Sequence, residues 1–451
     1  MACRHRKELW GPALVLGVAG LVVGTSRLLS GGADGLLPTI RHRVENPVPS
    51  GTRRHPELLA DRTLRASGVS PHRANWRRID QSQYVGAKRC AKCHRGYYNG
   101  WKQTAHNKMI RPAITSGPER TVLADFSKSS PYRHFELKDV KWVIGHRWKQ
   151  RYIGEVNGEE VVFPVQWSIQ KKKWQPYRGR NDWWYPAHKN WQERSNFKLC
   201  AGCHSTGVDV YAGTWKELNI SCESCHGPGK AHSDNPLVSN IVNPTRLSRD
   251  RSIEICLSCH QSGKPPGSQT DYAWAVGYQP GLELARFWSG SKPETGQQTP
   301  EFWPNGAAHK NRVQGNTFLQ SVMYRDGHMQ CMDCHDMHGS RHRSLTVRSA
   351  ETNALCLSCH GRGKDAGPDY KSLSEHTHHA PTSSGSRCIE CHMPKTGKNS
   401  VAGESRNHTF DFISPAVTIR NGTPNSCNGC HADKTPQWAL GKLKTWAGSE
   451  P

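Results

Sequence analysis

Eight copies of one short motif, Cys-x-x-Cys-His, constrain this chain more than any other feature. The motif is the attachment signature of a c-type haem, in which both thiols bond to the porphyrin and the histidine binds the iron. The copies are numbered motifs 1 to 8 in chain order. Their cysteines, the predicted attachment points of eight covalently bound haem c groups, are Cys90 and Cys93, Cys200 and Cys203, Cys222 and Cys225, Cys256 and Cys259, Cys331 and Cys334, Cys356 and Cys359, Cys388 and Cys391, and Cys427 and Cys430. Their histidines, the predicted proximal iron ligands, are His94, His204, His226, His260, His335, His360, His392 and His431.

A Cys-x-x-Cys pair has two other common uses, a structural zinc site and a redox-active dithiol. Zinc sites combine two such pairs or place histidine further along the chain, and a dithiol needs no histidine after it. Neither use explains a histidine directly after the second cysteine in all eight copies. The motifs take sixteen of the seventeen cysteines, and the remaining one, Cys3, precedes the first apolar segment. Covalent haem attachment is therefore the prediction.

The first 25 residues predict export. Arg4, Arg6 and Lys7 precede an apolar run at 9–24, which is the layout of a secretory signal. The run is shorter than the roughly 20 residues that span a bilayer, and no small-x-small cleavage site follows it. A cleaved signal peptide and a retained signal anchor at 1–25 therefore both stay open, and with them membrane anchoring by the N-terminus. Residues 26–82 are rich in arginine without apolar periodicity, which predicts a basic flexible linker.

The chain carries a formal net charge of +24. In another protein this excess would favour nucleic-acid binding, but no DNA-binding motif is present and export places the chain in the wrong compartment. The propionates of eight haems bring an opposite charge of roughly −8 when oxidised. Arginine suits such carboxylates because its guanidinium binds them through two parallel hydrogen bonds. We therefore expect much of the basic excess to compensate the cofactors.

The remaining chain is predicted to form an octahaem cytochrome c domain at 83–435 and a C-terminal helix at 436–451. Pro436 after the candidate cap Thr435 is typical of a helix start. Within the domain, bulky and polar residues alternate at 134–169 around Asn157-Gly158, which predicts a small β-hairpin insert. Only 35% of the residues are hydrophobic, so haem faces should supply the missing apolar area. The expected fold class is mainly α and irregular.

The far side of each iron needs a second ligand. The chain has 25 histidines, and removing the eight in the motifs leaves 17. If His335 and His338 lie one helical turn apart, both approach from the same side, so His338 should serve another motif. The Gly-Pro-Gly turn could likewise send His232 elsewhere, and His106 would lie about 18 Å from His94 on a continuous helix. The distal candidates are His106, His232, His338, His188, His309, His376, His378, His379 and His408.

Several motif neighbourhoods resemble a known group of cytochromes. They include the Tyr84-Val-Gly86 opening, Cys222-Glu-Ser-Cys-His-Gly-Pro-Gly229, Cys331-Met-Asp-Cys-His-Asp-Met-His338 and Pro424-Asn-Ser-Cys-Asn-Gly-Cys-His431. The chain resembles multihaem c-type cytochromes of the doubled-CXXCH family, related to the tetrahaem cytochrome that accepts electrons from hydroxylamine oxidoreductase. That resemblance implies a multihaem cytochrome c fold of helices and loops organised around stacked haems. It also implies electron transfer in the periplasm.

Three functions stay open on the sequence alone. The favoured one is an octahaem electron carrier in the periplasm or at the cell surface, with redox partner proteins that could include a membrane quinol oxidase. The second is an oxidoreductase that acts on a small nitrogen or sulfur compound at one open haem. The third is a subunit of a homo-oligomeric haem filament. Every motif is complete and no residues can be assigned to an open haem, so the carrier is preferred and no catalytic residue is predicted.

Overall fold

A computed structural model describes residues 78–131, 133–176, 194–267, 272–361, 373–397 and 405–447. The predicted signal at 1–25, almost all of the predicted linker at 26–82, and the candidate ligand His188 lie outside these residues. Among the described residues, no helix is both long enough and apolar enough to cross a bilayer.

The helices are short because the chain is built around the motifs. A single helical turn brings the two cysteines, three positions apart, onto the face that also carries the histidine at the fourth position. Motifs 3 and 7 form such a turn alone, and motifs 4 and 6 end a longer helix. The helices are α1 (Ala87–Cys90), α2 (Arg95–Gln103), α3 (Gly202–His204), α4 (Cys222–His226), α5 (Lys230–Asp234), α6 (Arg249–His260), α7 (Gln314–Phe318), α8 (Val322–Arg325), α9 (Cys331–Cys334), α10 (Ala354–His360), α11 (Leu373–Thr377), α12 (Cys388–His392), α13 (Pro415–Asn421) and α14 (Pro436–Ala447).

The insert between motifs 1 and 2 is a five-stranded antiparallel sheet with the strand order β1-β2-β3-β4-β5. The predicted hairpin is present: its turn residues, Asn157 at φ 52° and Gly158 at φ 78°, adopt the left-handed conformation that a tight hairpin requires. The predicted extent was too small, because strands form on both sides of 134–169. The strands are β1 (Ile110–Pro112), β2 (Trp142–Ile144), β3 (Lys149–Val156), β4 (Glu159–Ser168) and β5 (Lys173–Pro176).

Both faces of this sheet are covered. Side chains alternate across a strand, and on one face Tyr152 and Phe163 join an aromatic cluster with Phe135 and Trp174. The other face carries Ile153 and Val162, which pack with Ile110, Ile144 and the motif 2 residue Cys200. The sheet therefore forms one wall of the motif 2 environment.

Smaller pieces complete the fold. Two two-stranded sheets pair β6 (Ser205–Thr206) with β7 (Glu217–Leu218) and β8 (Gly263–Lys264) with β9 (Ser289–Gly290). The last helix, α14, begins after Thr435, whose Oγ1 accepts a hydrogen bond from Trp438 N at 3.1 Å. The ring centres of Trp438 and the motif 8 histidine His431 are 5.2 Å apart, so α14 packs against motif 8.

Candidate haem-binding site

Motifs 1, 5 and 8 do not lie within a longer helix, yet each of them forms the same local turn. The histidine N–H donates to the carbonyl of the first cysteine in motif 1 (2.9 Å), motif 5 (3.0 Å) and motif 8 (3.0 Å). This bond closes a helical turn even where no continuous helix follows, as at Cys427 in motif 8. The turn holds both sulfurs and the imidazole on one side, where a single porphyrin can meet all three.

Five motif histidines face a second imidazole at a constant distance. The ring centres of each pair are 6.0 to 6.2 Å apart, while the angles between the ring planes range from 9° to 59°. The pairs are His94 with His232, His260 with His106, His226 with His338, His392 with His376, and His431 with His379.

This spacing fits an iron between the rings. A metal–imidazole bond is about 2 Å long and the bonding nitrogen lies about 1 Å from the ring centre, so two opposed ligands have centres about 6 Å apart. Direct ring stacking would bring the centres closer. The motif turns and the paired imidazoles together fit haem with an axial histidine on each side.

Backbone carbonyls fix the tautomer of many of these rings. An imidazole whose Nδ1–H donates to a carbonyl presents the Nε2 lone pair to a metal. Among motif histidines, Nδ1 of His226 bonds to Val242 O (2.8 Å), that of His335 to Ser344 O (2.9 Å) and that of His392 to Phe410 O (3.3 Å). The same bond is made by the distal candidates His232 to Leu237 (3.0 Å), His309 to Thr299 (3.1 Å), His408 to Arg406 (3.0 Å) and His379 to Thr377.

Burial also keeps several rings neutral. Desolvation lowers the pKa of His260 to about 3 and that of His204 and His408 to about 4. It lowers the pKa of His106 and His335 as well. A neutral imidazole is the form that binds iron, so these sites favour ligation over protonation at neutral pH.

Two premises of the sequence reasoning about distal ligands were wrong. His335 and His338 do not share a helix, because α9 ends at Cys334 and His335 is extended (φ −123°, ψ 135°). His106 does not continue a helix from His94, because α2 ends at Gln103 and Thr104 is extended. The chain bends at both places, and each bend carries the histidine to a different motif.

The other distal candidates are placed differently. His408 is half-buried and lies within electrostatic range of His335. His309 is buried and its ring meets Trp303 edge-on at 4.5 Å. His378 is exposed and stacks on Trp446 at 4.4 Å, which is an aromatic contact and not an opposed imidazole. Within the described residues, no imidazole ring is placed in the 6 Å arrangement opposite His204, His335 or His360.

Motif 2 has the most enclosed surroundings. Trp274 packs against its backbone so closely that a Cβ on Gly202 would lie 2.0 Å from the indole ring. The guanidinium groups of Arg151 and Arg312 lower the pKa of His204 further, after burial. Arg312 Nε also donates to the motif 4 carbonyl of Cys259 at 3.2 Å. Positive charge therefore gathers around motif 2.

Sequence reasoning missed residues that join one motif to another. Glu223, inside motif 3, is 2% exposed and accepts backbone hydrogen bonds from Val85, Gly86 and Gly229. Asn353 bonds to the Cys388 N–H of motif 7 at 2.9 Å. The sequence did contain a signal for Glu223. It is an acidic residue inside a haem-binding motif, and the haem itself carries carboxylates of the same charge, so its presence there needs a structural reason.

Known proteins resemble this chain in part. Residues 324–365 match the Doubled CXXCH motif family, and residues 89–129 and 169–227 match the Cytochrome c554 and c-prime family. Multiheme cytochrome MtrA of Shewanella baltica is 25% identical over 181 residues, which are 36% of this chain and 51% of that protein. The chain thus spans about half the length of this relative.

The Outer Cell Wall Cytochrome OcwA has a crystal structure with a TM-score of 0.65 to this chain, at 22% identity. The match covers 81% of this chain and 87% of OcwA. An undecaheme cytochrome from the S-layer of Carboxydothermus ferrireducens matches less well, with a TM-score of 0.47 and 17% identity over 82% of this chain and 60% of that one. The OcwA likeness shows the fold of a multihaem cytochrome.

The motifs and these matches together support a class, the multihaem c-type cytochromes with covalently bound haem c. The predicted resemblance to doubled-CXXCH cytochromes and to cytochrome c554 is confirmed.

Proposed function

We propose that this protein is an octahaem electron carrier that works outside the cytoplasm. The observation that carries the proposal is the set of five opposed imidazole pairs at 6.0 to 6.2 Å. A haem iron with a histidine on each side has no free position for a substrate, so it exchanges electrons without bond chemistry. Haem held between two histidines would pass single electrons from a reduced partner to an oxidised partner, with no atom transferred.

The axial ligands follow from the same pairs. We assign His232 to motif 1, His338 to motif 3, His106 to motif 4, His376 to motif 7 and His379 to motif 8. His408 is assigned to motif 5, since its tautomer is fixed by Arg406 O and its ring lies near His335. Two histidine ligands favour lower reduction potentials than a methionine–histidine set.

The predicted export of the chain supports a location outside the cytoplasm. The basic and apolar order of residues 1–25 is that of a secretory signal. OcwA, the solved structure with the similar fold, is described as an outer cell wall cytochrome. We place this carrier in the periplasm or at the cell surface, where its partners are other redox proteins. Anchoring by the N-terminus remains part of the proposal for residues 1–25.

A second function is favoured by one observation at motif 2. Arg151 and Arg312 lie near the half-buried His204, and guanidinium groups bind oxyanions well. If the iron of motif 2 has an open side, this pocket suits reduction or oxidation of a small nitrogen or sulfur oxyanion.

Low-temperature electron paramagnetic resonance of the oxidised, haem-loaded protein, with and without cyanide, tests the carrier. We expect low-spin signals that cyanide leaves unchanged, and an intact mass that corresponds to eight haems. A high-spin signal from about one haem in eight that cyanide converts to low-spin would contradict the carrier and favour catalysis. A haem count below eight would refute the octahaem assignment.

A further inference from the structure

A small polar pocket lies where motifs 2, 3 and 4 meet. Its volume is about 80 Å³, and each of these motifs contributes one lining residue from the same position: Gly202, Ser224 and Ser258. This is the position directly before the second cysteine. On a helical turn it lies on the side opposite both cysteines and the histidine. The pocket is therefore formed by the three motifs on the side away from their haem-binding faces.

Contacts within the chain hold the three motifs around this pocket. Ser224 Oγ of motif 3 lies 2.7 Å from the Oγ1 of Thr206, two residues past the motif 2 histidine. Helix α3, in motif 2, packs on α6, which ends in motif 4. Trp274 also lines the pocket, and its Nε1 donates to Phe197 O at 2.8 Å. These contacts set the walls of the pocket.

Two buried hydroxyl groups in the lining have no hydrogen-bond partner among the described residues. Ser205, directly after the motif 2 histidine, is 3% exposed, and its Oγ is one of them. Tyr278 Oη is the other. A buried hydroxyl without a partner destabilises the folded state. A ligand that completes both hydrogen bonds would therefore be bound favourably.

Two other hydroxyl groups in the lining can accept a hydrogen bond. Ser258 Oγ donates its proton to Ile255 O at 2.8 Å, which leaves a lone pair available. Thr206 Oγ1 donates its proton to Asn219 O at 2.7 Å, so Ser224 is the donor in the contact between these two hydroxyls. The lone pairs of Ser224 Oγ are then available as well. The lining thus offers both donors and acceptors.

The lining selects a small neutral ligand. None of the described residues around the pocket is Lys, Arg or His, so an anion finds no opposite charge there. The carboxylate in the lining is that of Glu223, which is already occupied by three backbone N–H groups. Water donates and accepts hydrogen bonds equally, and one molecule takes up about 30 Å³ in the liquid. The pocket therefore has room for about two water molecules.

We propose that this pocket is a water site that links motifs 2, 3 and 4. Water there accepts hydrogen bonds from Ser205 and Tyr278. It donates hydrogen bonds to Ser224 and Ser258, so one network joins the three motifs on the side away from their haem-binding faces. The inference concerns how the motifs are held together and does not depend on the proposed electron-carrier function.

Deletion of single hydroxyl groups in the haem-loaded protein tests the water site, with urea unfolding as the measurement. Removing a hydroxyl that bonds to water weakens the folded state, whereas removing one without a partner leaves it unchanged or stabilises it. Ser205→Ala and Tyr278→Phe should therefore each lower the urea midpoint. Ser221→Ala is the matched control, because Ser221 is also 3% exposed with an unpartnered Oγ but does not line the pocket. Its midpoint should be unchanged or higher.

A crystal structure of the holoprotein, at a resolution that shows ordered water, decides directly. We expect water roughly 3 Å from Ser205 Oγ and from Tyr278 Oη. The proposal is overturned if the pocket holds no water or is filled by part of a porphyrin. It is also overturned if Ser205→Ala and Tyr278→Phe lower the urea midpoint no more than Ser221→Ala does. Should a variant not load eight haems, the crystal structure of the original protein decides alone.

Discussion

Glu223 is the residue whose removal should reveal most about how the motifs are held together. Its carboxylate is 2% exposed and accepts three backbone hydrogen bonds. Oε1 accepts from Val85 N at 2.9 Å and from Gly229 N at 2.7 Å, and Oε2 accepts from Gly86 N at 2.8 Å. Val85 and Gly86 lead into motif 1, and Gly229 precedes the helix that carries His232. One side chain therefore positions both imidazoles assigned to the first iron.

The size of the effect follows from the amides left without a partner. A buried donor that loses its acceptor costs about 1 to 3 kcal/mol. Glu223→Ala strands three donors but removes a carboxylate whose pKa is raised by burial, so the net loss should be roughly 3 to 5 kcal/mol. Glu223→Gln keeps an oxygen at the Oε1 position and strands only Gly86 N, so about 1 to 3 kcal/mol is expected.

Urea unfolding of the holoprotein measures the stability, and electron paramagnetic resonance measures the ligand geometry. We expect Glu223→Ala to lower the urea midpoint most, Glu223→Gln to lower it less, and one low-spin signal to broaden or become high-spin in the alanine variant. Glu119→Ala, in the loop after β1, is a control at an exposed carboxylate. Equal midpoints for Glu223→Ala and the original protein, with unchanged spectra, would refute this account of Glu223.

Three further substitutions test separate contacts. Gly202→Ala should abolish haem loading at motif 2, since the added Cβ would lie 2.0 Å from the indole ring of Trp274. The control is Gly429→Ala, at the same position of motif 8, where the nearest atom to an added Cβ lies at 4.0 Å. Intact mass should show eight haems for this control. His232→Met should shift one component of a redox titration to a higher potential, and the same change at exposed His378 should shift none. Asn353→Ala should lower the free energy of unfolding in urea by roughly 2 to 3 kcal/mol, since its side chain bonds to the backbone of motif 7 and of the preceding turn. An unchanged free energy of unfolding would contradict that role.

The local parts of this fold could be predicted because their causes are local. The Cys-x-x-Cys-His spacing sets a helical turn, and Asn157-Gly158 sets a hairpin. The sheet around that hairpin was underestimated, because β1 is only three residues long and pairs with β2 across about thirty residues of chain. Pairing at that distance depends on packing of Ile110 against Ile144 and Cys200, which no short sequence window contains.

The distal ligands could not be predicted for a related reason. A candidate histidine is recognised only by which ring it faces, and the chain bends at Thr104 and at His335 decide this for His106 and His338. The sequence reasoning expected His106, His232 and His338 each to serve a motif other than the nearest one, but it did not say which motif. The structure places them opposite His260, His94 and His226.

These crossed pairs explain how a chain with short helices and a modest apolar content can have one defined arrangement. In all five pairs, an iron bound by one motif would also be bound by a histidine that follows a different motif: His232 after motif 3, His106 after motif 1, His338 after motif 5, and His376 and His379 after motif 6. Each such pair fixes two distant segments at once, much as a disulfide does. The same link that fixes the fold also sets which motifs lie near one another, so the placement of the motifs and the tertiary structure have a common physical origin.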